Sequence, residues 1–363
     1  MAIKYLAGDR LIGTAAERAA LSGTTPDAVP QTSWKQLAKH TLTGAEDVLD
    51  SGTFTAKDNL MILVIGYKSG SASTEKLQFN ADTGSNYAER HSETGGSDST
   101  NTSQDHIELS IDGEDDEFTV LNIKNIANQE KLVIGHTVAR QGGTGSGTAP
   151  TRWEVVGKWV NTSNQITRVQ VTNPYGGDLD TGSELVVLGM DDDEADSGTN
   201  FWQELANPTD LASAGDTLSS GTFTAKDYLM VDVFRTRSGS VNSRIQVNGD
   251  TGSNYAHRNY GASSSYGSDA LTDGGTSIHS HALTTNDSFT TYLIVNKSSK
   301  EKLMIIHEIN RNSTGASNVP DRMEVVAKWA NTSNAITSIN VINTDSGNLD
   351  VGTSIRVWGG TPT

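Results

Sequence analysis

S-G-T-F-T-A-K-D at Ser51–Asp58 recurs letter for letter at Ser220–Asp227. D-T-G-S-N-Y-A at Asp82–Ala88 returns at Asp250–Ala256. E-V-V-G-K-W-V-N-T-S-N-Q-I-T (Glu154–Thr167) returns as E-V-V-A-K-W-A-N-T-S-N-A-I-T (Glu324–Thr337). Three matches in the same order, each displaced by about 170 residues, mean that the chain carries two copies of one fold. That period is too long for a solenoid unit and long enough for each copy to bury a core.

Between the matches the sequence reads as strand after strand. Asn59–Tyr67, Phe118–Ile126, Lys131–Ala139, Arg152–Val160, Ile166–Val171 and Glu184–Leu188 are short, rich in β-branched and aromatic residues, and separated by Gly, Ser, Asn and Asp. The second copy echoes them from Tyr228 to Trp358. About eight strands per copy without an interior helix predict an all-β protein of two tandem β-sandwich domains, jelly-roll-like in topology. The expected boundaries are an N-terminal arm (1–33, with two helical turns over Thr14–Leu21), a first sandwich (34–190), an acidic linker (191–199) and a second sandwich (200–363).

Comparing the copies separates residues that serve the fold from residues private to one copy. Alternation along Trp153, Val155, Gly157, Trp159 and along Met323, Val325, Ala327, Trp329 assigns these to a core. Their intervening neighbours Glu154, Lys158, Glu324 and Lys328 are expected near solvent. Gly157 opposite Ala327 suggests close packing from a facing sheet. Every Trp occupies a position where both copies keep a large apolar group, so all six are expected to be fold residues rather than a sugar platform. Asp82–Asn86 and Asp250–Asn254 read as turns, with a Ca²⁺ loop through Asp82 and Asn86 as the sharper alternative. Asn161–Asn164 and Asn331–Asn334 read as turns as well.

With no Cys, disulfides, thiolate metal sites and cysteine nucleophiles are excluded. A formal charge of −17 without a Lys/Arg cluster argues against nucleic acid. The first residues lack a secretory h-region and no run reaches the roughly 18 apolar residues of a spanning helix, so a soluble, cytoplasmically made chain is expected. His279 and His281 could chelate a metal from one side of a strand, with Asp105 and His106 in the corresponding place, but surface histidines are the reading preferred. The repeat-equivalent His136 and His307 are expected to serve a structural hydrogen bond. The acidic runs Asp112–Glu117 and Asp191–Asp196 lack the order of an EF-hand loop. Gln141–Ala149 lacks the G-K-[ST] of a phosphate loop. Glu154 and Glu324 could form a carboxylate pair for glycoside hydrolysis, but duplication on a solvent-side strand argues against it. No catalytic, cofactor or metal residue is therefore assigned. Tyr260 and Tyr266, without counterparts in the first copy, mark a divergent loop where recognition is expected.

M-A-I-K-Y-L-A-G-D-R-L-I-G-T-A-A-E-R at the start, T-S-W-K-Q-L-A (32–38) and S-G-T-F-T-A-K-D-N-L-M-I-L (51–63) resemble structural proteins of tailed bacteriophages and related environmental viruses. D-T-G-S-N-Y-A-E-R and N-T-S-N-Q-I-T are similar too. The resemblance implies a virion component (capsid, decoration, or tail and fibre) assembled in the host cytoplasm, and it carries over no catalytic residue. The partners expected are further copies of the chain, most simply a trimer, and other virion proteins, without nucleic acid or membrane insertion. A host-surface glycan is the alternative ligand, and a polysaccharide hydrolase the least favoured function.

Overall fold

A computed structural model describes residues 34–70, 75–109, 116–174, 176–191, 200–262, 270–279, 286–311, 315–316 and 319–363. The arm (1–33), linker positions 192–199, Tyr266, His281 and most of the acidic run at 112–117 lie outside the described residues. Among the described residues every regular element is a strand, and the strands form open antiparallel sheets.

The first half contributes β1 (Lys35–Thr41), β2 (Val48–Asp50), β3 (Asn59–Gly66), β4 (Lys68–Gly70), β5 (Lys76–Phe79), β6 (Tyr87–Glu93) and β7 (Ser99–Gln104). It continues with β8 (Ile107–Glu108), β9 (Glu117–Lys124), β10 (Lys131–Ala139), β11 (Thr151–Trp159), β12 (Val169–Thr172), β13 (Gly177–Leu179) and β14 (Glu184–Met190). The second half opens with β15 (Gln203–Asp210), β16 (Thr217–Ser219), β17 (Tyr228–Arg235), β18 (Arg237–Ser238), β19 (Ser243–Val247), β20 (Tyr255–Ala262) and β21 (Ala270–Gly275). It ends with β22 (Ile278–His279), β23 (Ser288–Val295), β24 (Lys302–Asn310), β25 (Asp321–Trp329), β26 (Ile339–Asn343), β27 (Asn348–Leu349) and β28 (Ser354–Gly360).

The two halves have the same plan. An eight-stranded sheet runs β1-β14-β3-β9-β10-β11-β6-β7 in one and β15-β28-β17-β23-β24-β25-β20-β21 in the other. A four-stranded sheet (β2-β12-β5-β8; β16-β26-β19-β22) and a two-stranded one complete each half, and no sheet takes strands from both. The extra strands beyond the eight anticipated per copy are two- to eight-residue pieces such as β2, β4, β8 and β13, too short or too polar to show a period.

Inside each half the small sheet covers the inner face of the large one. Leu49, Leu77, Phe79, Ile107, Val169 and Val171 from the small sheet meet Leu60, Ile62, Val64, Leu121, Val155 and Trp159 from the large one. The second half repeats this with Leu218, Ile245, Val247, Ile278, Ile339 and Val341 against Leu229, Val231, Val233, Tyr292, Val325 and Trp329. A Cβ at Gly157 would lie 2.7 Å from Ile107 Cδ1, which is the close approach from the facing sheet that Gly157 permits.

The repeated motifs hold this framework in place. Trp159 Nε1 donates to Asp82 Oδ2 and Trp329 Nε1 to Asp250 Oδ2, each at 2.7 Å. Asp82 also accepts from Gly84 N (2.9 Å) and Asn86 Nδ2 (2.9 Å), so the D-T-G-S-N turn is tied to the core Trp. Partial burial pushes the Asp82 carboxyl up, but these three donors outweigh it and hold the group below the usual range. Asn161 Oδ1 caps the turn N–H groups of Ser163 and Asn164, and Asn331 does the same for Ser333 and Asn334. The S-G-T-F-T-A-K-D motif is a strap: Ser51 N and Phe54 N donate to Val169 O and Thr167 O, and Phe54 caps the core.

A third apolar core joins the outer faces of the two large sheets. Met61, Leu63, Ile65, Phe118, Val120, Val138, Val186 and Leu188 of the first half pack with Tyr228, Val295, Leu303, Ile305 and Val326 of the second. The uninterrupted run Asn59–Gly66 follows from this: Leu60, Ile62 and Val64 point inward, and Met61, Leu63 and Ile65 point to the other half. Trp202 is buried here, and Trp34 and Trp358 pack against the same core. The other three Trp are buried within their own halves, so each Trp of the chain serves packing.

Candidate functional site

The outer faces carry the features that distinguish the two halves. Strand register makes Leu132, Ile134 and Val156 equivalent to Leu303, Ile305 and Val326, because Ile134 pairs with Val156 as Ile305 pairs with Val326. The second-half trio is buried (3, 3 and 1% exposed), whereas the first-half trio is 57, 53 and 49% exposed. The opposite holds for the row that covers the buried trio. Ile65 and Phe118 pair in register, as do Phe118 and Val138, and all three are buried. Their equivalents Phe234, Phe289 and Ile309 pair in the same way across β17, β23 and β24 and are 42, 41 and 49% exposed.

One half therefore presents row A (Ile65, Phe118, Val138) and the other presents row B (Leu303, Ile305, Val326), and the two rows are buried in one core. The second copy of each row, B on the first half and A on the second, is left at the surface. The hairpin ends behave likewise. Ala149 is buried and Arg258 Nε donates to Pro150 O (2.9 Å), while Val319, the equivalent of Ala149, is 76% exposed. The surface around Ile134 and Val156 forms a cleft of about 210 Å³, lined also by Arg90, Asp98, His136 and Glu154, all from the first half.

Where the two faces diverge, a cluster of ionisable groups links them. His136 and His307 meet edge to face at 4.5 Å between ring centres. Each lies in register with a glutamate, His136 with Glu154 and His307 with Glu324. Arg152 Nε lies 2.9 Å from Glu154 Oε1, and its NH1 donates to Glu324 O at 3.3 Å. Arg322 pairs with Glu324 at 3.0 Å. Burial, then a hydrogen bond to Glu324, pushes the Glu154 carboxyl up to about 8. Burial acts the same way on Glu324, but the proton donated by Glu154 and the flanking Arg152 and Arg322 hold it below its ordinary value. The pair thus shares one proton at neutral pH. Burial and the neighbouring His307 lower His136 to about 4, so both imidazoles are neutral there.

These placements correct the expectation that Glu324 and Lys328 face solvent; Glu154 is half-buried, and Lys158 does face solvent, paired with Glu130 at 3.0 Å. Glu324 and Lys328 are buried, and Lys328 Nζ donates to Arg140 O (3.1 Å). Alternation located the inner face correctly, but it could not show that the outer face meets a second sheet. The two glutamates that the sequence kept apart are brought together. Walled by Arg152, Arg322 and the two histidines, the pair has the chemistry of a proton-sharing latch between halves. Among the described residues the structural hydrogen bond expected of His136 and His307 is not formed, and the two rings meet instead.

Tyr260 lies in strand β20, opposite Glu324, rather than in a loop. Arg152 stacks over its ring at 5.2 Å, and the ring packs against Gly95. Its partner in the expected recognition loop, Tyr266, lies outside the described residues. His279 closes β22, and His106 lies beside Asp105 on the equivalent edge of the first half.

No protein-family model and no curated protein matches the chain. Among solved structures, the attachment invasion locus protein Ail of Yersinia pestis aligns with 75% of this chain and 97% of its own at 7% identity and a TM-score of 0.14. Neisserial surface protein A aligns with 79% of this chain and 99% of its own, at 7% identity and a TM-score of 0.14. Domains LG4-5 of the mouse laminin α1 chain align with 93% of this chain and 86% of their own, at 11% identity and a TM-score of 0.18.

Proposed function

We propose that the protein is a structural component that works by head-to-tail self-assembly of two tandem β-sandwich modules, without catalysis. One observation carries this: each row left exposed has its covering surface elsewhere on the same chain. Row B of one molecule (Leu132, Ile134, Val156) receives row A of the next (Phe234, Phe289, Ile309), repeating between molecules the contact made within each. Such a contact is heterologous, so it closes into a ring, of which a trimer is the simplest, or grows as a filament. The shared sheet orders of the halves support tandem sandwiches. The pairing of the first strand with the last (β1 with β14, β15 with β28) supports a jelly-roll-like wrap.

With the resemblance to phage structural proteins, a role as a virion component assembled in the host cytoplasm is the fullest form of this reading, with other virion proteins as further partners. The burial of the tryptophans favours it over a glycan-binding module. The test is electron microscopy and sedimentation velocity of the purified chain over a concentration series. Rings or filaments are expected; a species that stays monomeric at the highest concentration reached would overturn the proposal.

A further inference from the structure

We propose that Glu89, His91 and Glu108 form a divalent transition-metal site of the zinc class in the corner between β6 and β8. Each residue offers one donor atom, and the three donors lie within 4.8 Å of one another. Glu89 Oε1 and His91 Nδ1 are already 3.3 Å apart. Two ligands about 2.1 Å from a tetrahedral zinc stand about 3.4 Å from each other, so this pair is spaced for a shared ion and Glu108 needs only a side-chain adjustment. Two carboxylates with an imidazole suit zinc and its neighbours rather than calcium, which takes oxygen ligands.

The surroundings orient the ligands. Asn101 Nδ2 donates to Glu89 Oε1 at 3.0 Å and Glu108 N to Glu89 Oε2 at 2.6 Å, fixing the carboxylate plane. Trp153 stacks on the His91 ring at 4.3 Å. Such outer contacts hold metal ligands in one geometry. The Glu89 side chain is buried, and no Lys or Arg among the described residues forms an ion pair with it. A buried carboxylate without a cation is costly, and a bound ion removes that cost.

The second half supplies an independent observation. By register, Glu89 corresponds to His257, because Glu89 pairs with Gly157 as His257 pairs with Ala327. Glu108 corresponds to His279, because Lys76 pairs with Glu108 as Arg244 pairs with His279. The same corner thus carries ligand-type side chains twice, in different chemical form. His257 is 1% exposed, both its ring nitrogens are buried, and neither has a hydrogen-bond partner among the described residues. Its ring centre is 6.0 Å from that of His279.

The experiment uses the full chain stripped with chelator and held dilute, so that self-association does not contribute. Zn²⁺ uptake is measured by equilibrium dialysis, and Co²⁺ uptake by its visible absorption. Stripped wild type is expected to take up Zn²⁺, and the Co²⁺ complex to give ligand-field bands that His91→Asn alters. Glu108→Gln, which keeps the shape of the side chain, and His91→Asn are each expected to weaken first-half binding by at least about tenfold, whereas His257→Asn leaves it unchanged. No uptake by wild type, or equal affinity in wild type and both first-half variants, overturns the proposal. Circular dichroism of each variant separates loss of ligand from loss of fold. If His91→Asn unfolds, Glu108→Gln decides by the same criterion.

Discussion

Phe289→Glu should abolish self-association while leaving each molecule folded. Phe289 is the middle of exposed row A, in register with Phe234 on one side and Ile309 on the other. Fully burying a Val, Leu, Ile or Phe side chain yields about 1.5–3 kcal/mol, so covering the remaining half of one yields about 0.7–1.5 kcal/mol. Six such residues, three from each row, give about 4–9 kcal/mol. Bringing two proteins together costs about 4–15 kcal/mol, so one contact is weak and assembly must depend steeply on concentration. Removing the Phe289 ring takes away about 1 kcal/mol and sets a carboxylate against apolar row B, so the association constant should fall by well over tenfold, about 1.4 kcal/mol. Ile134→Glu should do the same from row B.

The decisive measurement mixes the two variants in sedimentation velocity. Each alone has one blocked row and stays monomeric; together they retain one intact row A and one intact row B, and should form a heterodimer that grows no further. Unchanged assembly by either variant, or mixed species larger than a dimer, would refute the heterologous contact.

Glu154 and the buried histidines give the fold opposite pH slopes. Glu154 is raised from 4.5 to about 8 in the folded chain, so its contribution is complete below 4.5 and is lost as pH rises toward 8. His136, lowered from 6.5 to about 4, contributes stability above 6.5 that is lost as pH falls toward 4. Thermal melts should therefore show stability falling from about pH 6.5 to 8 in wild type and falling less steeply in Glu154→Gln, where the buried Glu75, whose carboxyl burial also raises, keeps its own slope; an equal slope in both would remove the shared proton. Trp159→Ala should cost about 3–5 kcal/mol in chemical denaturation, and a loss below about 1 kcal/mol would contradict its place in the core. Asp82→Ala should cost about 1–3 kcal/mol by leaving Trp159 Nε1 without its acceptor, and adding Ca²⁺ should not alter the wild-type melt; a calcium-dependent rise would restore the loop-site alternative.

The inner architecture was legible because two copies of the sequence had to satisfy the same local physics. Trp159 and Trp329, the Asp82 and Asp250 turns and the Gly157–Ala327 position recur because they serve contacts within one half. The strands at Lys131–Ala139 and Glu184–Met190 were visible through their length and apolar content. Strands such as β2 and β8, two or three residues long, leave no period to detect. The metal-type corner was only glimpsed, as His279, His281, Asp105 and His106. Its main members, Glu89 and His91, come from β6, and only sheet register sets them beside Glu108.

By itself, then, the sequence determined an all-β chain of two like halves and the inward face of its central strands. Period-2 alternation is a property of one strand, and the identity of the two copies reports what one fold needs. Only the tertiary structure decided that the outer faces meet, that Glu154 and Glu324 share a proton rather than facing water, and that Phe118 is buried while Phe289 is exposed. These outcomes depend on how two nearly identical surfaces dock. An offset between them covers row A of one half and row B of the other, and no local pattern in either copy encodes which row is covered.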